Sequence, residues 1–172
     1  MIKIKVQRIH SGAVIPNFAH PTDSGFDLYT CEDTKIESGQ KAILKTGLKF
    51  EIPQGWGIQL KNKSGVTVKG CPIYSIVYVD TGDGEYDYVN KDMGNRADVT
   101  VYEGTIDMNY RGEIGIMVKN ETDKPITIPK HTKVAQGVLR QVFQCKFVEV
   151  NEIDTNTDRG EGGYGSTGAK HE

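Results

Sequence analysis

Apolar residues in this chain recur with a period of two and almost nowhere with a period near 3.6. Ile2, Ile4 and Val6 alternate with charges, and the same rhythm returns over residues 43–52, 58–60, 114–118 and 143–150. Successive side chains of a strand point to opposite faces, so alternation of this kind marks half-buried strands. Asn17, Pro21, Gly39, Pro53-Gln54-Gly55, Gly70, Pro125 and Pro129 punctuate the runs with turn formers, and no segment of ten residues carries a helical stripe. Many short strands separated by turns predict an all-β sandwich, barrel or jelly roll. At 172 residues one domain is expected. Residues 1–150 are read as that β domain. Residues 151–172, nearly devoid of aliphatics, are read as a flexible C-terminal arm.

Charge narrows the range of functions. A net charge of -2 and a pI near 6.1 leave no global basic field for nucleic acid, so phosphate chemistry has to be local. Cys31, Cys71 and Cys145 lie far apart without CxxC spacing, as reduced thiols do. The charged start lacks a signal-peptide core and no apolar run reaches bilayer length, so a cytoplasmic protein with no membrane contact is expected.

Four segments and the tail carry chemistry-bearing residues. Gly104 to Gly112 sets a carboxylate, Asp107, three residues before an aromatic ring, Tyr110, in a turn between two strands. Lys63-Ser64-Gly65 follows a strand and offers a cation, a hydroxyl and a glycine, a set that suits phosphate. Lys133-Val134-Ala135-Gln136 puts an amide on a strand, and Ser24-Gly25-Phe26-Asp27-Leu28 a carboxylate. Each alone is also an ordinary turn, loop or strand edge. The tail contains a literal GxGxxG at Gly160, Gly162 and Gly165. A dinucleotide loop must follow a strand and open a helix, and only seven residues follow Gly165. What remains is a glycine-rich strip whose amides can approach phosphate, with Arg159, Ser166 and Thr167 as donors and Tyr164 as a stacking face.

In this order the five segments resemble those of the trimeric dUTPase family over nearly the whole chain, the stretches 104–112 and 159–168 being the most characteristic. The resemblance implies a jelly-roll-like β fold, a homotrimer, and active sites at subunit contacts, each closed by another subunit's C-terminal arm. It implies hydrolysis of dUTP to dUMP and diphosphate, which limits uracil in DNA. By the same resemblance Asp107 is the general base for water attacking the α-phosphorus. Backbone groups around Ile106 and Gly115 hydrogen-bond uracil, and Tyr110 packs on the deoxyribose, excluding a 2′-hydroxyl. Lys63, Ser64, Gly65 and Gln136 contact the α- and β-phosphates, Arg159, Ser166 and Thr167 hold the γ end, and Tyr164 stacks over the base. A Mg²⁺ cofactor is expected on the phosphate oxygens with no direct protein ligand, Asp27 reaching it at most through a bound water.

The chain departs from the family pattern at several points. Lys63 stands where the family usually has arginine, keeping the charge but losing the planar fork. Asn109 replaces a frequent aspartate and Tyr164 a frequent phenylalanine, and the asparagine often found before the third segment is missing near Val101. Ser64 and Asp107 are 43 positions apart, longer than the family usually shows, which places an insert at about 75–100. Within it, residues 80–98 carry six acidic residues against Lys91 and Arg96. No glycine holds the sixth position after Asp80 that a calcium loop needs. Phage-encoded relatives carry such inserts and some bind repressor proteins. The resemblance therefore implies a phage-type member with a repressor-like partner at residues 80–98, anchored by Tyr86 and Tyr88. Two alternatives compete: a dCTP deaminase-related enzyme and a regulatory nucleotide-binding protein with weak catalysis. The Asp107 turn and complete tail oppose the first, and intact Asp107, Gln136 and Arg159 the second. His10, His20, His131 and His171 lack metal-ligand spacing, so zinc is not expected.

Overall fold

A computed structural model describes residues 2–82 and 85–163, in two compact units, Met1–Val142 and Phe143–Glu172. The described residues of the first unit form thirteen strands and one short helix. In chain order these are β1 (Lys5–Arg8), β2 (Phe26–Tyr29), β3 (Thr34–Ile36), β4 (Lys41–Lys45), β5 (Leu48–Glu51), β6 (Trp56–Asn62), α1 (Ser64–Lys69), β7 (Cys71–Asp80), β8 (Tyr86–Ala97), β9 (Val99–Val101), β10 (Gly104–Ile106), β11 (Gly115–Asn120), β12 (Ile126–Ile128) and β13 (Lys133–Gln141). Every pairing is antiparallel. A four-stranded sheet runs β10-β6-β13-β2, a three-stranded one β4-β11-β9, and β1 with β5, β3 with β12 and β7 with β8 form pairs. The architecture is all-β and jelly-roll-like. Among the described residues no helix is long and apolar enough to cross a membrane.

Alternation does what the sequence requires of it. In β11, Ile116 and Val118 are buried while Met117 between them is exposed, and Leu28, Leu44, Ile58, Ile128 and Val134 join them in one core. Each such side chain stabilises the fold by roughly 1.5–3 kcal/mol through area removed from water. The core backs the sheet that carries β6, β10 and β13, and so fixes the strands from which the candidate site is built.

The structure differs from the sequence expectations in three places. The run 43–52 is two strands broken at Gly47, whose φ of 67° and the 2.8 Å from an added Cβ to His10 Cβ admit glycine alone. A short helix, α1, opens at Ser64, in a stretch where the sequence pattern announces no helix. The alternating run 143–150 forms no strand, and Phe143, Phe147 and Val148 are exposed. A period of two says that a face wants covering without saying by what, and the described residues of the second unit offer that run no partner strand. Cys31 and Cys71 are buried and free, with burial the main cause pushing both thiols up, Cys71 to about 12, so neither is a nucleophile; Cys145 is exposed.

Candidate active site

One half of the candidate site is the turn that leads from β10, at the edge of the four-stranded sheet, to β11 in the three-stranded one. β10 ends at Ile106, buried against the core, and the chain turns at once: the Tyr110 amide donates to the Asp107 carbonyl at 3.0 Å. Arg111 Nη1 secures the turn by donating to the carbonyls of Met108 at 2.6 Å and Tyr110 at 2.9 Å. Tyr110 Oη donates to the Glu113 carbonyl at 3.0 Å, and Glu113 Oε1 accepts the Gly47 amide at 2.8 Å. The ring is thus tied to the Gly47 corner through Glu113, a residue that sequence reading missed because its role depends on a contact 66 positions away. Ile106, Asp107, Tyr110 and Gly115 line one open cleft of about 440 Å³, together with Leu60, Ile114 and Met117. Asp107 is exposed there. Glu103 and Glu113 also line the cleft but are engaged by Lys61 and by the Gly47 amide, so a slot with apolar walls, the Asp107 carboxylate and the backbone edge of β10 remains, which suits a flat, hydrogen-bonding ring.

The other half lies at the far end of β6. Asp27 on β2 is 1% exposed. Lys63 Nζ donates to its Oδ1 at 2.7 Å, Gln136 Nε2 donates to the same oxygen at 3.3 Å, and Lys133 Nζ lies 2.9 Å from Oδ2. Burial pushes the Asp27 carboxyl up, but the contacts of Lys63, then Lys133, and finally Gln136 outweigh it and hold it below the usual carboxylate range. Bonded to Asp27, the Lys133 ammonium is held above its usual value. Lys133 was quoted in sequence yet never assigned a role. Strict alternation puts residues 133 and 136 on opposite faces, but a bulge at Val134 pairs Lys133 with Tyr29 and Gln136 with Asp27, which brings both side chains to one side. Ser64 and Gly65 open α1, where the first internal bonds run from the Val66 and Thr67 amides to the Lys63 carbonyl, leaving the Ser64 and Gly65 amides outside the ladder. An added Cβ at Gly65 would meet nothing within 4 Å. Cations, an amide and free N–H groups together favour a phosphate chain.

The two halves do not meet within one chain. Ile106 pairs with Ile58, so Asp107 lies level with Gly57, whereas Ser64 follows the opposite end of β6. Seven residues of extended chain separate those levels, about 20 Å. Lys63 and Gly65 line a second recess, of about 500 Å³, that shares no residue with the cleft around Asp107. Arg159 belongs to the second unit, where its Nε donates to the Gly162 carbonyl at 2.8 Å. Tyr164, Ser166 and Thr167 lie outside the described residues.

Both Asp27 oxygens face lysines, so this carboxylate is not free to ligate a cation. Away from both halves, His10, Cys31 and Glu32 bring ligand atoms within 4.8 Å of one another. His10 Nδ1 already accepts the Gly12 amide at 3.0 Å and Glu32 pairs with Lys45 at 3.1 Å, so that group is internally engaged.

The stretch expected to hold an insert, about 75–100, forms most of an antiparallel ribbon, β7 with β8. Its base, Cys71 opposite Ala97, is buried in the core, while Ile76, Val89 and Met93 are exposed along it. Tyr86 and Tyr88 lie on β8, but their side chains are outside what is described.

The family model described as dUTPase matches residues 11–84 and 93–168. The chain is 36% identical over 170 residues to the deoxyuridine 5'-triphosphate nucleotidohydrolase of Alkaliphilus metalliredigens (strain QYMF), covering 99% of this chain and 100% of the relative. It superposes on a Staphylococcus bacteriophage 80alpha dUTPase bound to dUPNHPP with a TM-score of 0.75 and 24% identity, covering 96% of this chain and 98% of that one. Superposition on the dUTPase from phage phi11 of S. aureus, a structure that visualizes its species-specific insert, gives a TM-score of 0.69 at 21% identity, with 89% and 99% covered.

Proposed function

Because the chain belongs to the dUTPase family, we propose that it hydrolyses dUTP to dUMP and diphosphate at sites completed only by other copies of itself. The observation that carries the shared site is the separation just described. A water poised by Asp107 and a phosphate held by Ser64 must lie within a few ångströms of one phosphorus, and about 20 Å of strand cannot be bridged by two short side chains. Two chains set against each other bring the cleft of one to the recess of the next. Cyclic symmetry then repeats the contact, and the resemblance to trimeric relatives makes the ring a homotrimer. The exposed apolar run 143–150 and the Arg159 tail supply the arm that closes a neighbour's site, with Tyr164 over the base and Ser166 and Thr167 at the γ-phosphate.

In this arrangement uracil enters the cleft beside Ile106 and Gly115. Cytosine, with its donors and acceptors inverted, leaves buried backbone groups unpaired and is rejected. Tyr110 lies against the deoxyribose. Asp107 takes a proton from water as the new oxygen–phosphorus bond forms at the α-phosphorus and the bridging oxygen leaves with diphosphate. Lys63, Ser64, Gly65 and Gln136 hold the phosphates, aligned by Asp27. The donor set here is cationic, which fits Mg²⁺ carried on the phosphate oxygens and not held by a protein cage. When bound it neutralises charge on the triphosphate. Measuring diphosphate release from dUTP, dCTP, dTTP and UTP tests the reading. Turnover of dUTP alone supports it, and deamination of dCTP or no turnover at all overturns it.

Tyr110 stays in place because Gly112 has no side chain. A Cβ there would lie 2.3 Å from Tyr110 Oη and 2.5 Å from Cζ. Gly112→Ala is therefore expected to push the ring out of the cleft and raise KM for dUTP about tenfold with a smaller change in kcat. Selection against UTP should relax in the same variant, as steady-state kinetics with both nucleotides will show.

The ribbon is the second element of the proposal. Between its two matched stretches the family model leaves residues 85–92 unmatched, all of them but Glu85 in β8. This is the phage-type insert, and it docks a regulatory protein of the repressor kind through exposed apolar side chains set among carboxylates. Excising residues 75–94 keeps the buried Cys71–Ala97 base and should leave hydrolysis within about twofold of the parent. Loss of hydrolysis in that variant would make the ribbon part of the enzyme.

A further inference from the structure

The recess that begins at Lys63 and Gly65 continues past them. Five of its twelve lining residues are cations, Lys63, Lys69, Arg96, Lys130 and Lys133, against one carboxylate, Asp92. Lys63 and Lys133 are neutralised in part by Asp27. Lys69 and Arg96 make no ion pair among the described residues. Arg96 Nη1 donates to the Gly70 carbonyl at 3.0 Å, which leaves its other donors available, and Asp92 Oδ1 accepts the Gly94 amide at 2.9 Å. A lysine in a last helical turn and an arginine on a helix-end carbonyl are each explained by the end of α1. Neither accounts for their convergence on one cavity with so little counter-charge.

Lys69 lies five residues beyond Ser64 on α1, about 7.5 Å along the axis. The outer part of the recess is therefore displaced from the cradle assigned to the substrate's own phosphates by about the length of one diphosphate. We propose that this outer part is a holding site for inorganic diphosphate, lined by Lys69 and Arg96, which the leaving group occupies after the bridging oxygen has parted from the α-phosphorus. No further bond is made or broken there. The inference rests on the hydrolytic reading above, yet the site itself can be measured without turnover. Its consequence is that product inhibition by diphosphate is set by residues that contribute little to dUTP binding.

The test is calorimetric titration of the full-length protein with magnesium diphosphate, for the wild type and Lys69→Ala/Arg96→Ala, alongside KM for dUTP. The expected result is a diphosphate Kd weakened about tenfold or more, with KM for dUTP within about twofold. Lys69→Glu, at an exposed position that spares the Arg96 contact, must give the same split and stands in if the double variant melts early. Unchanged diphosphate affinity, absent diphosphate binding in the wild type, or a KM for dUTP that rises in step overturns the proposal. The last outcome would make the recess the tail of the substrate site. If dUTP is not turned over but diphosphate binding still weakens in the variants, the hydrolytic reading fails and this site stands.

Discussion

Asp107→Asn lowers kcat for dUTP by about two to four orders of magnitude while leaving KM unchanged or slightly reduced. The backbone of this residue is fixed by its own carbonyl, which accepts the Tyr110 amide, so an isosteric amide keeps the turn and the cleft. What it removes is the lone pair that takes the proton from the attacking water. It also removes a negative charge close to the phosphates, which is why binding does not suffer. Steady-state kinetics, together with the affinity of a non-hydrolysable analogue, separate this outcome from a binding defect. A rise in KM with kcat intact would mean that Asp107 holds substrate and the base lies elsewhere.

Asp27→Asn acts on the other half of the site and on the fold together. The carboxylate is enclosed and gathers two ammonium groups and an amide. Its neutral replacement leaves Lys63 and Lys133 facing each other with no charge between them. A loss of about 2–4 kcal/mol follows, below the full cost of breaking a buried pair because both lysines reach partly into solvent. With Lys63 and Gln136 released, kcat/KM should fall about 10- to 100-fold, mainly through KM. The pH dependence has a fixed sign. The folded carboxyl titrates below its ordinary value of 3.8, so its contribution is complete above that value and is lost as pH falls through the lower, folded one. Melting temperatures of wild type and variant should differ most at neutral pH and converge in acid. A constant gap across that range would mean that the carboxylate's charge is not what stabilises the cluster.

Much of the fold was legible in the alternation alone, because a strand with one covered face has to write its period into the sequence. β6, β11 and the turn around Asp107 are found where Ile58, Leu60, Ile116 and Val118 place them. The Asp107 half of the site was legible because it is local: Ile106, Asp107, Tyr110 and Gly115 come together within a dozen residues. The phosphate half was less so. Lys133 reaches Asp27 because a single bulge at Val134 reverses the phase of β13, and no periodic pattern announces a bulge. The role of Glu113 depends on the corner at Gly47. The ribbon was marked by its acidic content and by the long spacing, which placed an insert at about 75–100, but neither signal told that the stretch pairs as two strands, β7 and β8. The run 143–150 carries a strand's pattern yet pairs with no strand among the described residues.

The shared site is the centre of this account, and subunit mixing tests it most directly. Asp107→Asn and Ser64→Ala/Gln136→Ala chains, each inactive alone, would be unfolded together in equal amounts, refolded and assayed for dUTP hydrolysis. If Asp107 of one chain works with Ser64 and Gln136 of another, about one quarter of the sites draw both intact halves, and activity near a quarter of wild type appears from two inactive parents. Activity no greater than the average of the two parents would place both halves of the site in a single chain and contradict the account.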